Sequence, residues 1–395
     1  MVFIISYMEI RRNIFLFKLY YLFADLAPLS VLAVVYFQQI TGSYAFALGI
    51  FSIANIVQSI AEIPTGIISD KIGRKKTLVF SSILTTVAFT IFAMAGTFSQ
   101  KYLLILGAII WAIADAFASG TDDAMMYETM EELRKADKYD IVYARSRTFG
   151  QIGLGLGALI ATVVTYFYSL TVLAWVAAIL TINQTIVALQ LVEPKVHTRE
   201  DCTSVKHFMA AIKAFLQNKK LRILATIQMI NHGISFAGHR FEGAYFNLLI
   251  PTWAVNIARM VKQTCGAISF AIAPYFRKFG FYKILVTSTL GMMAIKLSAV
   301  IMNNMVTPFL QSCVNIFYGT SSTAESALLQ QELSPKQRAT MGSIVSLFSG
   351  LVSAIIYWVV GIVADNSSVL VAIVMLILSN LFISGGYYWM LKKYK

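Results

Sequence analysis

Eight ionisable side chains stand out because each interrupts a long apolar run: Asp25, Asp115, Asp122, Asp123, His232, Arg259, Lys262 and Glu325. A charge at a bilayer centre costs about 2.5–3.5 kcal/mol on insertion scales, so each one retained needs a partner, a water-filled passage or a task. A carboxylate in such a passage can take a proton from one side and release it to the other, and a histidine needs little perturbation to do the same. Asp25, Asp115 and His232 are therefore proton- or cation-binding candidates. Ser119 joins them, because Asp115, Ser119 and Asp122 fall at i, i+4 and i+7, one face of one helix. Arg259 and Lys262, three residues apart on one face, can neutralise Asp25 or Asp115, or meet an anionic group on a bound solute.

Other chemistries lack their residues. Asp122-Asp123 is a conceivable metal pair for a membrane-embedded enzyme, but no second acidic cluster at ligand spacing accompanies it, and neither H-E-x-x-H nor G-x-S-x-G occurs. No G-x-x-x-x-G-K-[ST] phosphate loop is present to hold a nucleotide. Cys202, Cys265 and Cys313 form an odd set without a C-x-x-C, which encodes neither a disulfide framework nor a zinc site. No cofactor and no metal are expected.

The elements that must position these side chains follow from composition. The 395 residues are 58% hydrophobic and only 13% charged, with a mean hydropathy of +0.70. A soluble domain carries roughly a quarter of its residues as charges, so this chain reads as an integral membrane protein. The apolar runs do not alternate, which excludes a membrane barrel and leaves an all-α bundle. Runs of about 20 apolar residues, enough for one crossing each, extend over about Ile14–Gln39, Tyr44–Ser69, Thr77–Phe98, Tyr102–Tyr127, Tyr143–Tyr168 and Leu170–Val192. A second six cover about Leu221–Phe241, Thr252–Phe276, Ile284–Asn303, Val306–Leu329, Thr340–Ala364 and Ser368–Leu391. Twelve transmembrane helices in two six-helix halves, 1–192 and 221–395, are thus expected, joined by a linker over 193–220. In that linker Val205, Phe208, Met209, Ile212, Phe215 and Leu216 recur at helical spacing opposite Lys206, Lys213 and Lys219, the pattern of an amphipathic helix on the membrane surface.

The net charge of +13 fits the same scheme. With the N-terminus inside, 27 of the 32 Lys and Arg residues fall on the cytoplasmic side, so both termini are expected there, in an inner membrane. The excess then needs no nucleic-acid partner. Met1 to Arg12 carries its bases after a short apolar stretch and does not read as a cleaved signal peptide. Tyr20, Tyr21, Tyr36, Trp111, Tyr245 and Trp253 read as interface anchors or packing, with Trp111 one turn before Asp115.

The halves are similar to each other: Ser119–Met126 (S-G-T-D-D-A-M-M) matches Ser322–Leu329 (S-T-A-E-S-A-L-L), and the turn at Gly73 matches the turn at Gly280. After the second run the chain reads Gly66-Ile-Ile-Ser-Asp70-Lys-Ile-Gly73-Arg74-Lys75-Lys76, following Glu62-Ile-Pro64-Thr. Gly73 permits a tight turn, and Gly66 permits close approach of a neighbouring helix. This stretch resembles the loop between helices two and three of the major facilitator superfamily, G-x-x-x-D-x-x-G-R-[RK]-[RK]. The resemblance covers the whole chain and implies a monomer. It implies that Asp70 latches a cytoplasmic gate against the eleventh helix and that Arg74 pairs with Glu128, Glu131 or Glu132. The second copy departs from the motif, with Arg277 where Asp70 stands and Phe281 where Arg74 stands.

The resemblance also implies a central cavity lined by helices one, four, seven and ten, which here carry Asp25, then Asp115 with Asp122 and Asp123, then His232, then Glu325. Asp122, Asp123 and Glu325 lie toward the cytoplasm, where pairing with Arg145, Arg147 or Arg338 serves a gate, and Glu62 belongs to the same layer. The fifth span, with Gly150, Gly153, Gly155 and Gly157, resembles the glycine-rich fifth helix of drug/proton antiporters but lacks their proline; Gly153 and Gly157 suit close helix packing. The resemblance to bacterial multidrug and metabolite carriers points to a proton-coupled secondary transporter working by alternating access, exporting a small organic solute. The alternative is uptake of a metabolite such as an amino acid or metal chelator.

Overall fold

The computed structural model describes residues 2–195, 218–331 and 335–394, with side chains except at 2–9, 63, 67, 70, 140, 274, 277, 330, 331, 335–344 and 346. The expected linker helix and Cys202 lie outside the described residues, as do the side chains of Asp70, Arg277 and Arg338. The described residues form helices and short 3-10 turns and no strand. They fall into two compact units, one of residues 1–42 and 53–200, the other of 43–52 and 201–395.

The first unit holds α1 (Val2–Ala24), α2 (Ala33–Thr41), most of α3 (Tyr44–Ile72), α4 (Arg74–Phe98), α5 (Lys101–Ala118), α6 (Thr121–Glu132), α7 (Tyr139–Phe167) and α8 (Leu170–Gln190). Two expected continuous crossings are interrupted. Pro28 has no N–H to offer the Ala24 carbonyl, so α1 stops there; the chain passes Leu26–Leu32 in successive turns and α2 resumes at Ala33. The fourth crossing breaks at Ser119-Gly120, where Gly120 takes φ +73°, into α5 and α6. Asp115 and Asp122 therefore sit on different helices rather than on one face of one helix.

Pro64, by contrast, does not break α3, and the Thr65 hydroxyl beside it donates to the Ala116 carbonyl of α5 at 3.0 Å. The unit's buried centre joins Leu16, Phe17, Tyr20 and Tyr21 of α1 to Leu78 of α4, Met125 and Met126 of α6, and Val187 and Ala188 of α8. Helices α1 and α7 touch backbone to backbone: a Cβ added at Gly153 would overlap the Leu22 carbonyl, and one at Gly157 would come within 3.3 Å of the Ala27 nitrogen.

The second unit holds α9 (Lys219–Leu249), α10 (Thr252–Phe276), α11 (Phe281–Met302), α12 (Thr307–Cys313), α13 (Tyr318–Gln331), α14 (Pro335–Asn366), α15 (Val369–Leu378) and α16 (Asn380–Lys393). The expected tenth crossing is interrupted as well, by a 3-10 turn over Val314–Phe317 between α12 and α13, and the expected twelfth at Ser379 between α15 and α16. The first residues of α3 belong to this unit: Asp365 of α14 accepts from the Ser43 hydroxyl (2.6 Å) and from the Tyr44 and Ala45 amides (2.7 and 3.0 Å), capping the helix. The repeated turns match in backbone as well as sequence, since Gly73 (φ +98°, ψ 152°) and Gly280 (φ +83°, ψ 137°) each precede the first residue of a helix.

Among the described residues, eight stretches are long and apolar enough to cross a membrane. The expected crossings outside that set are the first, seventh, eighth and tenth. Those four carry Asp25; His232, Arg240 and Glu242; Arg259 and Lys262; and Glu325. The first and tenth of these are interrupted, whereas the seventh and eighth are the continuous helices α9 and α10.

Candidate functional site

In the first unit the two interruptions supply a polar cluster. Asp25, just past the end of α1, keeps its amide on the Tyr21 carbonyl (3.0 Å), and its carboxylate lies directly against the α-carbon of Gly150 in α7, where a side chain would collide. One turn earlier, buried Tyr21 points its hydroxyl at Asp122 (2.8 Å) and Asp123 (3.1 Å). Those carboxylates occupy the first turn of α6, where free amides and the helix dipole favour negative charge. Arg147 of α7 approaches Asp123 at 3.5 Å and Asp122 at 3.9 Å while its guanidinium stacks over the Tyr21 ring at 4.4 Å and the Tyr143 ring at 5.2 Å.

Two carboxylates thus face one guanidinium and one phenol, and the single phenolic proton can serve only one of them at a time. Arg147 is the basic partner; Arg145 lies exposed outside the cluster. Tyr21 is neither an anchor nor simple packing but the hub of three elements. Asp115 is half-buried in the last turn of α5, within electrostatic reach of Tyr20, and its carbonyl accepts the amide of exposed Ser119 at 2.8 Å.

At the Gly73 turn, Arg74 meets Glu128 of α6 (3.4 Å) and donates to the Ser69 hydroxyl (3.2 Å). The Arg74 and Lys75 amides, the open N-terminus of α4, both donate at 2.7 Å to the carboxylate of Glu193. Glu193 was invisible as a partner in the sequence, because nothing in its neighbourhood marks it as a cap for a helix 119 residues earlier. Asn13 fixes the same strap by exchanging hydrogen bonds with the Val192 backbone at 2.7 and 2.9 Å. At Gly66, expected to permit close approach of a neighbouring helix, a Cβ would find no heavy atom within 4 Å among the described residues. Glu62 is half-buried on α3.

In the second unit Glu325 of α13 is nearly buried. One carboxylate oxygen accepts from Asn231 of α9 and from Tyr387 of α16, each at 2.6 Å, and the other lies 3.4 Å from His232 Nε2. The side chain of Arg338, expected opposite Glu325, lies outside the described residues. A residue expected in a gate and one expected in a binding site form a single group here, locked further by Gln228 donating to the Glu325 carbonyl at 2.9 Å.

A second group spans α9 and α10. Glu242 accepts from Lys262 and lies 3.6 Å from Arg259, and both cations also contact His239. Glu242 is only 14% exposed. It and His239 were legible in principle, because Pro251 turns α9 into α10 and residues equally distant from a hairpin turn stand level with each other. The described partners of Arg259 and Lys262 are therefore within their own unit.

The sequence pattern of the Major Facilitator Superfamily matches residues 14–357. A comparison with curated protein sequences finds no match. Among solved structures, the nucleoside transporter NupG superposes with a TM-score of 0.80 at 15% identity, covering 98% of this chain and 99% of its own. An auto-inhibited peptide transporter of the POT family superposes with a TM-score of 0.73 at 11% identity, covering 98% of this chain and 97% of its own. At such identities the likeness speaks for the fold, and it spans both chains end to end. With a family pattern over most of its length and polar residues gathered where its helices break, this multi-pass membrane protein belongs to the major facilitator superfamily and is a transporter rather than an enzyme.

Proposed function

We propose that the protein is a proton-coupled secondary transporter that exports a small organic solute by alternating access. In this reading twelve crossings in two six-helix halves, 1–192 and 221–395, rock about a site at mid-membrane depth, with both termini cytoplasmic and the chain acting as a monomer. The observation that carries it is the interruption of the first and fourth crossings beside Asp25, Asp115, Asp122 and Asp123. Broken helices at membrane depth persist where they line a cavity or an ion site.

Half-buried Asp115 and the surplus carboxylate of the Tyr21–Asp122–Asp123–Arg147 cluster are places for a proton to neutralise charge. Glu325 with His232 is a further such place, in the other unit. Asp70, Glu62, Gly73, Arg74 and Arg338 serve the cytoplasmic gate. Export is favoured by the likeness of glycine-rich α7 to the fifth helix of drug/proton antiporters. Uptake is the second reading, favoured by the cationic pair Arg259 and Lys262, which suits a zwitterion or anion such as an amino acid or chelator. Substrates of the solved relatives do not carry over at their identities.

Reconstitution of the full chain in proteoliposomes with an imposed pH gradient, screened across cationic, zwitterionic and anionic compounds, tests the proposal. Accumulation of at least one class that collapses when a protonophore is added is expected. Movement indifferent to the protonophore would contradict proton coupling.

A further inference from the structure

The group shared by α9 and α10 contains more hydrogen-bond donors than it can satisfy. Arg259 directs one terminal nitrogen to His239 Nδ1 at 3.1 Å and the other to Nε2 at 2.6 Å, while Lys262 Nζ lies 3.2 Å from the same Nδ1. Arginine and lysine only donate, and a neutral imidazole accepts at one nitrogen and donates at the other. At least one ring nitrogen therefore faces a donor with a donor; a protonated ring accepts nothing and deepens the mismatch. The carboxylate in contact is Glu242, set against two cations, and Lys296 of α11 lies within electrostatic reach of it. Arg259 and Lys262 are only 10% and 16% exposed, so water at the surface does not absorb these charges.

With the α9–α10 hairpin turn at the membrane surface, as the proposed function has it, the group lies inside the span. Arg259 and Lys262 lie seven and ten residues past Thr252, the start of α10, and Glu242 and His239 lie seven and ten before Leu249, the end of α9. At 1.5 Å per residue both pairs sit about 10–15 Å from the hairpin turn, close to the middle of a core about 30 Å thick. The neighbouring element is the third interruption, since Asn315 in the 3-10 turn donates to the Lys262 carbonyl at 3.0 Å.

We propose that His239, Arg259 and Lys262 form the subsite for an anionic group, a carboxylate or phosphate, on the transported solute. The guanidinium fork and the ammonium supply the charge-assisted donors such a group needs, and Glu242 holds the cations in place between transport events. The inference rests on the transporter reading for its link to movement; anion binding itself does not.

Two measurements on the full-length protein separate them. Thermal unfolding in neutral detergent is followed with matched probes: uridine and uridine 5′-monophosphate, nicotinamide and nicotinate, glutamine and glutamate. Stabilisation by the acidic member of at least one pair at about tenfold lower concentration than its neutral partner is expected, with the preference falling to less than about twofold in Arg259→Gln and kept in Arg259→Lys. Equal response to both members of every pair, no response to any acid, or an undiminished preference in Arg259→Gln would overturn the subsite. Stabilisation by phosphatidylglycerol that soluble acids fail to compete away would also overturn it, assigning the group to a lipid headgroup. Uptake of the same probes into proteoliposomes then reads transport. Acid-selective stabilisation without movement leaves the subsite standing and contradicts the transporter reading, whereas movement without acid preference does the reverse.

Discussion

Arg74 and Glu128 show how a single pair can hold a turn in place. Glu128 is 2% exposed and Arg74 17%, so the carboxylate depends on its cation more than the cation depends on it. Breaking a buried pair by removing one partner leaves an uncompensated charge. Because Arg74 is partly solvated, Arg74→Gln is expected to destabilise the protein by about 2 kcal/mol, below the span for fully buried pairs. The double variant Arg74→Gln with Glu128→Gln should recover more than half of that in thermal unfolding. Additive losses in the double variant would show that the pair is not coupled. This contact was legible beforehand because the resemblance to the major facilitator superfamily pairs the arginine after the Gly73 turn with acids at the end of the fourth helix, here one short segment. Tyr21 was not, since a tyrosine in an apolar run carries no mark that separates an anchor from a hydrogen-bond hub.

At the scale of elements, hydropathy located the helices and missed their breaks. The run through Leu26-Ala27-Pro28-Leu29 is apolar throughout, so averaging passes over the point where α1 ends; Pro28 beside Asp25 was the overlooked signal. Ser119-Gly120 was read as part of a helical face when Gly120 in fact takes a left-handed conformation. The glycines of α7 were legible in kind but not in degree. Gly153 stands against the Leu22 backbone, which cannot yield as a side-chain tip can, while a Cβ at Gly155 would meet nothing within 4 Å. Gly153→Ala is therefore expected to lower stability by about 1–3 kcal/mol, and Gly155→Ala to leave it unchanged or raise it by up to about 1 kcal/mol. Thermal unfolding of both variants in one detergent compares them directly, and equal effects would remove close approach as the reason for the glycine pattern. Glu242 with Arg259 and Lys262 shows a complementary miss, because reading each helix alone hid a partnership that counting outward from Pro251 reveals.

For the whole molecule, composition sufficed for a helical membrane protein and the Gly66–Lys76 motif sufficed for the family, because both depend on features that survive low identity: apolar length and a turn with its charges. The solute was not legible, since recognition depends on which polar groups converge and sequence spacing reports convergence only within one element. Under the proposed function, the interrupted helices, the carboxylates beside them and the donor-rich pair in α10 all serve movement of charge through a wet passage. The most direct measurement records solute and proton fluxes together, with a pH-sensitive dye inside proteoliposomes bearing either the native chain or Asp115→Asn. Proton-coupled transport predicts a proton flux that rises and falls with the solute flux in the native chain, and loss of both in Asp115→Asn while the variant still folds and inserts. Solute movement with no accompanying proton flux, or undiminished transport by Asp115→Asn, would contradict it.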